Sequence, residues 1–224
     1  MLKRTAGTFG IVLCGCLVSW AEEPKKDSDR FARWEKEIVA IEGRLQKTSP
    51  AKDAIAFAGS STIRMWDLTK SFPDLDVHNC GFGGSEIRDV THFAERILLP
   101  SRPKVIVFYA GDNDLNSQRT PEQVCDDFQA FAVKVHMSLP KTKIIFLSIK
   151  PSPARWKLVE KQKKANQLVA AFCKKNEQLE FLDIFQLLLG EDGMPNPQKY
   201  AKDNLHLSPK GYEELNKAVS PLLK

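Results

Sequence analysis

Three short apolar runs, each stopped by a glycine or a proline, constrain this chain more than any other feature. They are Ala54-Ile55-Ala56-Phe57-Ala58 before Gly59, Val105-Ile106-Val107-Phe108-Tyr109-Ala110 before Gly111, and Ile144-Ile145-Phe146-Leu147-Ser148-Ile149 before Pro151. Leu179 to Ile184 forms a fourth run and Asp76-Val77-His78 a weaker fifth. None reaches the length of a membrane span. Because they are continuously apolar rather than alternating, they suit strands buried on both faces. Helical patterns fill the gaps: Glu86 to Leu99, a helix from Pro121 with Val124, Phe128, Phe131 and Val135 on one face, Ala154 to Asn176, and Pro209 to Leu223. Ser208 before Pro209 supplies an N-cap and a first helical residue. A further amphipathic helix is expected over 28–47, with Phe31, Trp34, Ile38, Ile41 and Leu45 at spacings of three and four. Strand–helix alternation implies an α/β fold with a parallel sheet covered on both faces.

Composition narrows the function classes. The chain has 224 residues, 42% of them hydrophobic and 27% charged, which excludes a disordered chain. Its net charge of +5 is modest and its basic residues are scattered, so no nucleic-acid partner is expected. The first 21 residues read as a leader rather than fold: Lys3 and Arg4, a short apolar stretch from Thr8 to Val18, then Ser19-Trp20-Ala21 with small residues at the −3 and −1 positions of a cleavage site. Export follows as the expectation. Leu13-Cys14-Gly15-Cys16 also resembles a lipobox, which would put a lipid anchor on Cys16. Cleavage after Ala21 ranks higher, because a cysteine at position 14 is unusual in a lipobox. Without residues 1–21 the chain keeps 31 of its 33 basic residues and all 28 acidic ones, a net of +3. Cys80, Cys125 and Cys173 then remain, without metal-like spacing, and read as buried thiols. Residues 22–53 form a charged segment and the leading helix, and 54–224 a single domain.

Parallel sheets place their chemistry outside the carboxyl ends of the strands. Four polar clusters fall there: Gly59-Ser60-Ser61-Thr62, Asn79-Cys80-Gly81-Phe82-Gly83-Gly84-Ser85, Gly111-Asp112-Asn113-Asp114, and Asp203-Asn204-Leu205-His206 before the final helix. Together they hold a hydroxyl nucleophile, amide donors, a carboxylate and an imidazole, the inventory that acyl transfer requires. Each residue alone has an ordinary explanation: Ser61 as a helix N-cap, Asn113 as a loop brace, Asp203 as a turn cap, the glycines as a tight turn. Those explanations do not account for the order of the four clusters.

That order resembles the SGNH, or GDSL-like, hydrolase family over 54–224. The family's Gly-Asp-Ser block appears as Gly59-Ser60-Ser61, with Ser60 where the family has Asp, and its nucleophile maps to Ser61; Ser60 is a minor rival. Asn79 and Gly84 match the second block, Gly111, Asn113 and Asp114 the third, and Asp203 and His206 the last. The resemblance implies a three-layer α/β/α sandwich with a five-stranded parallel sheet. It also implies a triad of Ser61, His206 and Asp203, and an oxyanion hole made by the N–H groups of Ser61 and Gly84 and the Asn113 amide. The expected activity is hydrolysis of small or short-chain acyl esters, including acetyl groups on carbohydrate, without a cofactor or metal. Asp112-x-Asp114-x-Asn116 begins like a calcium loop, but Ser117 and Gln123 stand where that loop needs Gly and Glu. Acyl transfer to another alcohol, and a non-catalytic glycan- or lipid-binding protein on the same fold, are the alternatives. Trp66 and Arg64 are expected to pack around the helix after Ser61. His78, His92 and His136 lack partner spacing, and Lys157 to Lys164 reads as a solvated face.

Overall fold

The computed structural model describes residues 30–223. The expected leader over 1–21, with Cys16, lies outside them. Five strands form one all-parallel sheet: β1 (Ile55–Gly59), β2 (Val77–Gly81), β3 (Val105–Tyr109), β4 (Lys143–Leu147) and β5 (Leu179–Leu182), in the order β2-β1-β3-β4-β5. The helices are α1 (Glu35–Thr48), α2 (Ser61–Arg64), α3 (Leu68–Ser71), α4 (Ile87–Ile97), α5 (Asp112–Asn116), α6 (Pro121–Ser138), α7 (Val159–Cys173) and α8 (Pro209–Val219). The α/β/α expectation holds.

The apolar runs are continuous because alternate residues serve two cores. Ala56, Ala58, Ile106, Phe108, Ile144 and Phe146 face a core shared with α1, α4, α6 and α7. Ile55, Phe57, Val105, Val107, Ile145 and Leu147 face the other, shared with α2, α3 and α8. Cys80, Cys125 and Cys173 are free and buried, as expected.

Several boundaries differ from the sequence expectation. The leading helix runs Glu35–Thr48, because a turn at Arg33-Trp34 precedes it. The second strand extends to Gly81, since Asn79 and Cys80 pair in register with Phe57 and Ala58. The helix expected from Ala154 begins only at Val159. Residues Pro153–Leu158 form a 3-10 segment in which Arg155 leaves helical geometry at φ −121°.

The leading helix packs Trp34, Ile38 and Ile41 into the first core. Polar bonds tie it and the turn before it to the β2–α4 region. Arg30 bonds to Glu86 (2.9 Å) and Asp89 (2.8 Å), Glu37 accepts from the Gly83 N–H (3.2 Å), and Arg44 donates to the Asn79 carbonyl (3.3 Å).

His78 on β2 gives the fold a pH dependence. The Ser101 hydroxyl donates to the Leu98 carbonyl (2.9 Å), so the 3.0 Å contact from His78 Nε2 makes that ring nitrogen the donor. Nδ1 is buried without a partner, which suits a neutral ring. Burial pushes His78 down from 6.5 to about 4, only partly opposed by Asp76. The unfolded chain therefore takes up the proton first. Stability attributable to this ring is whole above pH 6.5 and declines as pH falls toward about 4, by about 3 kcal/mol in all. Thermal melts across that range are expected to fall less steeply for His78→Gln than for the parent. Identical slopes would remove His78 as the cause.

Candidate active site

In the sheet order, β1 is flanked by β2 on one side and β3 on the other, so successive connections leave in opposite directions at β1/β3. Such a switch point leaves a crevice at the carboxyl ends of these strands. Ser61 follows β1, Gly84 follows β2 and Asn113 follows β3.

Ser61 opens α2, whose N-cap is the extended and buried Ser60. Asn79 braces this short helix from β2. Its side-chain oxygen accepts from the Gly81 N–H (2.9 Å), while its amide donates to the carbonyls of Ile63 (2.6 Å) and Trp66 (3.3 Å). Trp66 is buried against Phe57, Phe72 and Tyr212 and donates to Asn216 (2.8 Å). Arg64 lies over Gly83, where an added Cβ would come within 2.9 Å of its guanidinium. Both therefore pack around α2, as expected.

Asp203 and His206 lie in a turn before α8, made by Asn204 at a left-handed φ of 57°. Asp203 accepts from the backbone N–H groups of Leu205 (3.0 Å) and His206 (2.9 Å), and its second oxygen lies 2.6 Å from His206 Nδ1. The imidazole bond and then these two N–H groups hold the Asp203 carboxyl well below the usual carboxylate range. An ionised carboxylate can only accept, so Nδ1 carries the proton and Nε2 presents its lone pair. The Ser61 hydroxyl lies 3.0 Å from Nε2 and donates to it. Three residues from two distant chain segments thus join in one hydrogen-bonded line. Ser60 is not part of it.

Asn113 sits in the first turn of α5, after Gly111 at φ 109°. Its Nδ2 donates to the Ser85 carbonyl (3.0 Å), which links the β3 loop to the loop carrying Gly84. Gly84 is exposed at φ 76°, a left-handed conformation that favours glycine. Asp114 turns inward: it accepts from the Ile87 N–H (3.0 Å) at the start of α4, and burial pushes its carboxyl up to about 7.

Sequence reading missed a group beside Asn113. Lys150, Asp112 and Arg155 form a buried ion cluster in which Arg155 reaches the Asn113 side-chain oxygen (3.1 Å). Lys150 directly follows the apolar run that ends at Ile149, which was the available signal. Arg155 lay inside the expected helix and gave none. Among the described residues, no cluster of three or more His, Cys, Asp and Glu could hold a metal ion, and no helix is long and apolar enough to cross a membrane.

The sequence model of the GDSL-like Lipase/Acylhydrolase family matches residues 56–214. Solved structures share the fold at low identity. One from Streptococcus pneumonia, named for platelet activating factor, is 23% identical with a TM-score of 0.77 over 88% of this chain and 96% of that one. A GDSL-like lipase from Bacteroides thetaiotaomicron is 20% identical, TM-score 0.67, over 86% and 96%. An acetylxylan esterase from Geobacillus stearothermophilus is 14% identical, TM-score 0.62, over 77% and 95%. No protein of curated function matches the chain closely enough to count as a relative.

Proposed function

We propose, for a chain that belongs to the GDSL-like lipase/acylhydrolase family, that it is an exported serine esterase acting on small or short-chain acyl esters, O-acetylated carbohydrate among them. As a member of that family it is a carboxylic ester hydrolase. The observation that carries the finer reading is the line from the Ser61 hydroxyl through His206 to Asp203 at the carboxyl edge of the sheet.

In this reading Ser61 attacks the ester carbonyl while His206 Nε2 takes its proton. Asp203 holds the imidazole tautomer and stabilises the imidazolium. The carbonyl oxygen becomes an oxyanion, received by the N–H groups of Ser61 and Gly84 and by the second N–H of the Asn113 amide. Collapse breaks the C–O bond, and His206 returns the proton to the departing alcohol. Water, deprotonated by His206, then attacks the acyl-enzyme and releases the acid and Ser61. Attack by another alcohol would transfer the acyl group instead, and nothing in the site favours that course. The non-catalytic alternative rested on Ser60, which stands outside the hydrogen-bonded line.

Openness supports a small acyl group. The Asp203 side chain is 49% exposed and that of His206 25% exposed, so the site is open to solvent at the His206–Asp203 pair. A p-nitrophenyl ester series tests this. kcat/KM should not rise from the acetate to the octanoate, since an open site gains little per added methylene where a closed apolar pocket would gain about tenfold or more. Release of acetate from acetylated xylo-oligosaccharides by the same protein tests the carbohydrate reading. A rise in kcat/KM with chain length would overturn the short-chain assignment. Export rests on residues 1–21 and is tested separately by sequencing the mature N-terminus, expected at Glu22.

A further inference from the structure

The β4–α7 connection, residues 148–158, touches both halves of the site. Its Lys150 is 1% exposed and donates from Nζ to the Leu205 carbonyl (2.8 Å), inside the turn that carries Asp203 and His206. The Ala154 N–H donates to the Asn204 carbonyl (3.1 Å) in that turn, and Tyr200 donates to the Pro151 carbonyl (2.5 Å). On the other side Arg155 places Nη1 2.9 Å from Asp112 Oδ2 and Nη2 3.1 Å from Asn113 Oδ1. Asp112 is 5% exposed and also meets Lys150 Nζ at 3.6 Å. Two cations thus share one buried carboxylate, and the surplus positive charge lies against the carbonyl end of the Asn113 amide.

We propose that Arg155 is a positioning residue for ester hydrolysis, fixing the orientation and polarity of the Asn113 amide. This rests on the reading of Asn113 as an oxyanion donor. The reasoning is geometric. A carboxamide has one accepting and one donating end, and its surroundings decide which way round it sits. Here the accepting end meets a guanidinium and the donating end meets the Ser85 carbonyl. Turned over, the amide would set N–H against guanidinium and oxygen against carbonyl oxygen, two repulsive contacts. One N–H of Nδ2 is taken by Ser85, so the other remains for the oxyanion. A charged donor on the amide oxygen also draws electron density from the nitrogen, which makes that N–H a stronger donor in a cooperative chain. Asp112 keeps the guanidinium in place through Oδ2, which Lys150 Nζ also approaches at 3.6 Å, while Gln162 donates to Oδ1 (3.4 Å).

The simpler alternative is a structural clamp between two loops. A double-mutant cycle separates them, read on p-nitrophenyl acetate with the full mature chain. Arg155→Met is expected to lower kcat by about tenfold or more, short of the ~10²–10³ for deleting an oxyanion donor outright, with KM within about threefold. In an Asn113→Ala background the same substitution should change kcat by less than about twofold, because the amide it acts through is gone. Affinity for a short alkylboronic acid, which forms a tetrahedral anion on the nucleophile, should fall in step with kcat/KM. Arg155→Lys keeps a charge beside Asp112 but cannot span both partners. It should show a smaller, equally non-additive loss, and it carries the test if Arg155→Met does not fold. Wild-type kcat in Arg155→Met, or equal losses with and without Asn113, would overturn the proposal while leaving the triad reading intact. Wild-type kcat in Asn113→Ala would overturn the oxyanion reading and this proposal with it.

Discussion

Ser61→Ala is expected to lower kcat on p-nitrophenyl acetate by about 10⁶, leaving a residual rate about 10³–10⁴ above water. The size follows from how such groups act together. His206 as a base has nothing to deprotonate once the hydroxyl is gone, so its contribution and that of Asp203 vanish with it. What survives is the oxyanion contribution and substrate binding. Stability should hold, because the Ser61 side chain bonds only to His206 and it is Ser60, not Ser61, that stands at the N-cap position of the helix. The melting temperature is expected within about 2 °C of the parent, as for a change that leaves core and caps alone. A fluorophosphonate probe should label the parent and fail on the variant. Retention of the label, or of more than about 1% of kcat against the 10⁶ drop expected, would place the nucleophile elsewhere.

Gly59→Ala should damage the fold rather than the chemistry. At φ 140° the residue occupies backbone that L side chains avoid, and an added Cβ would sit 1.9 Å from the Tyr109 carbonyl oxygen and 2.7 Å from its carbon. Neither atom can swing aside. That oxygen accepts from the Ser60 N–H (3.0 Å), and the Gly59 carbonyl in turn accepts from the Phe82 N–H (3.0 Å). Relief therefore means parting β1 from β3 at the centre of the sheet. Overpacking and backbone strain, about 1–3 kcal/mol each, add to roughly 4 kcal/mol. For a domain of this size that lowers the melting temperature by about 8–16 °C. Gly43→Ala is the matching control: it lies in α1 with nothing within 4 Å of an added Cβ, and should stabilise by up to about 1 kcal/mol. A Gly59→Ala protein melting within about 3 °C of the parent would refute the steric argument.

The contrast between the two sides of the site shows what a sequence discloses. Strands β1, β3 and β4 were legible because burial on both faces leaves a continuous apolar run, and the two cores that read alternate residues are the physical reason. Ser61 and Asn113 stood out because polar residues end those runs abruptly, and Asp203 and His206 because they pair at a spacing of three just before the final helix. Arg155 did not, since a helical periodicity from Leu158 onward masks a backbone that leaves the helix to satisfy Asp112. Asn79 misled in the other direction. A polar residue mid-strand shortens the expected β2, yet its side chain is consumed in holding α2. In both cases a tertiary hydrogen bond overrode local pattern, and local pattern is all that one sequence contains.

The leading helix has a practical consequence for anyone dissecting this protein. The stretch that matches the family starts at residue 56, and a domain cut there discards α1 entirely. Yet Glu37 accepts from the Gly83 N–H, Trp34 lies 3.5 Å from where a Cβ on Gly84 would be, and Arg30 pairs with Glu86. Shortened to the homology boundary, the polypeptide would carry every block that marks the family and a glycine loop with its scaffold removed. The limits by which the lineage is recognised are narrower than those of the smallest piece that should work on its own.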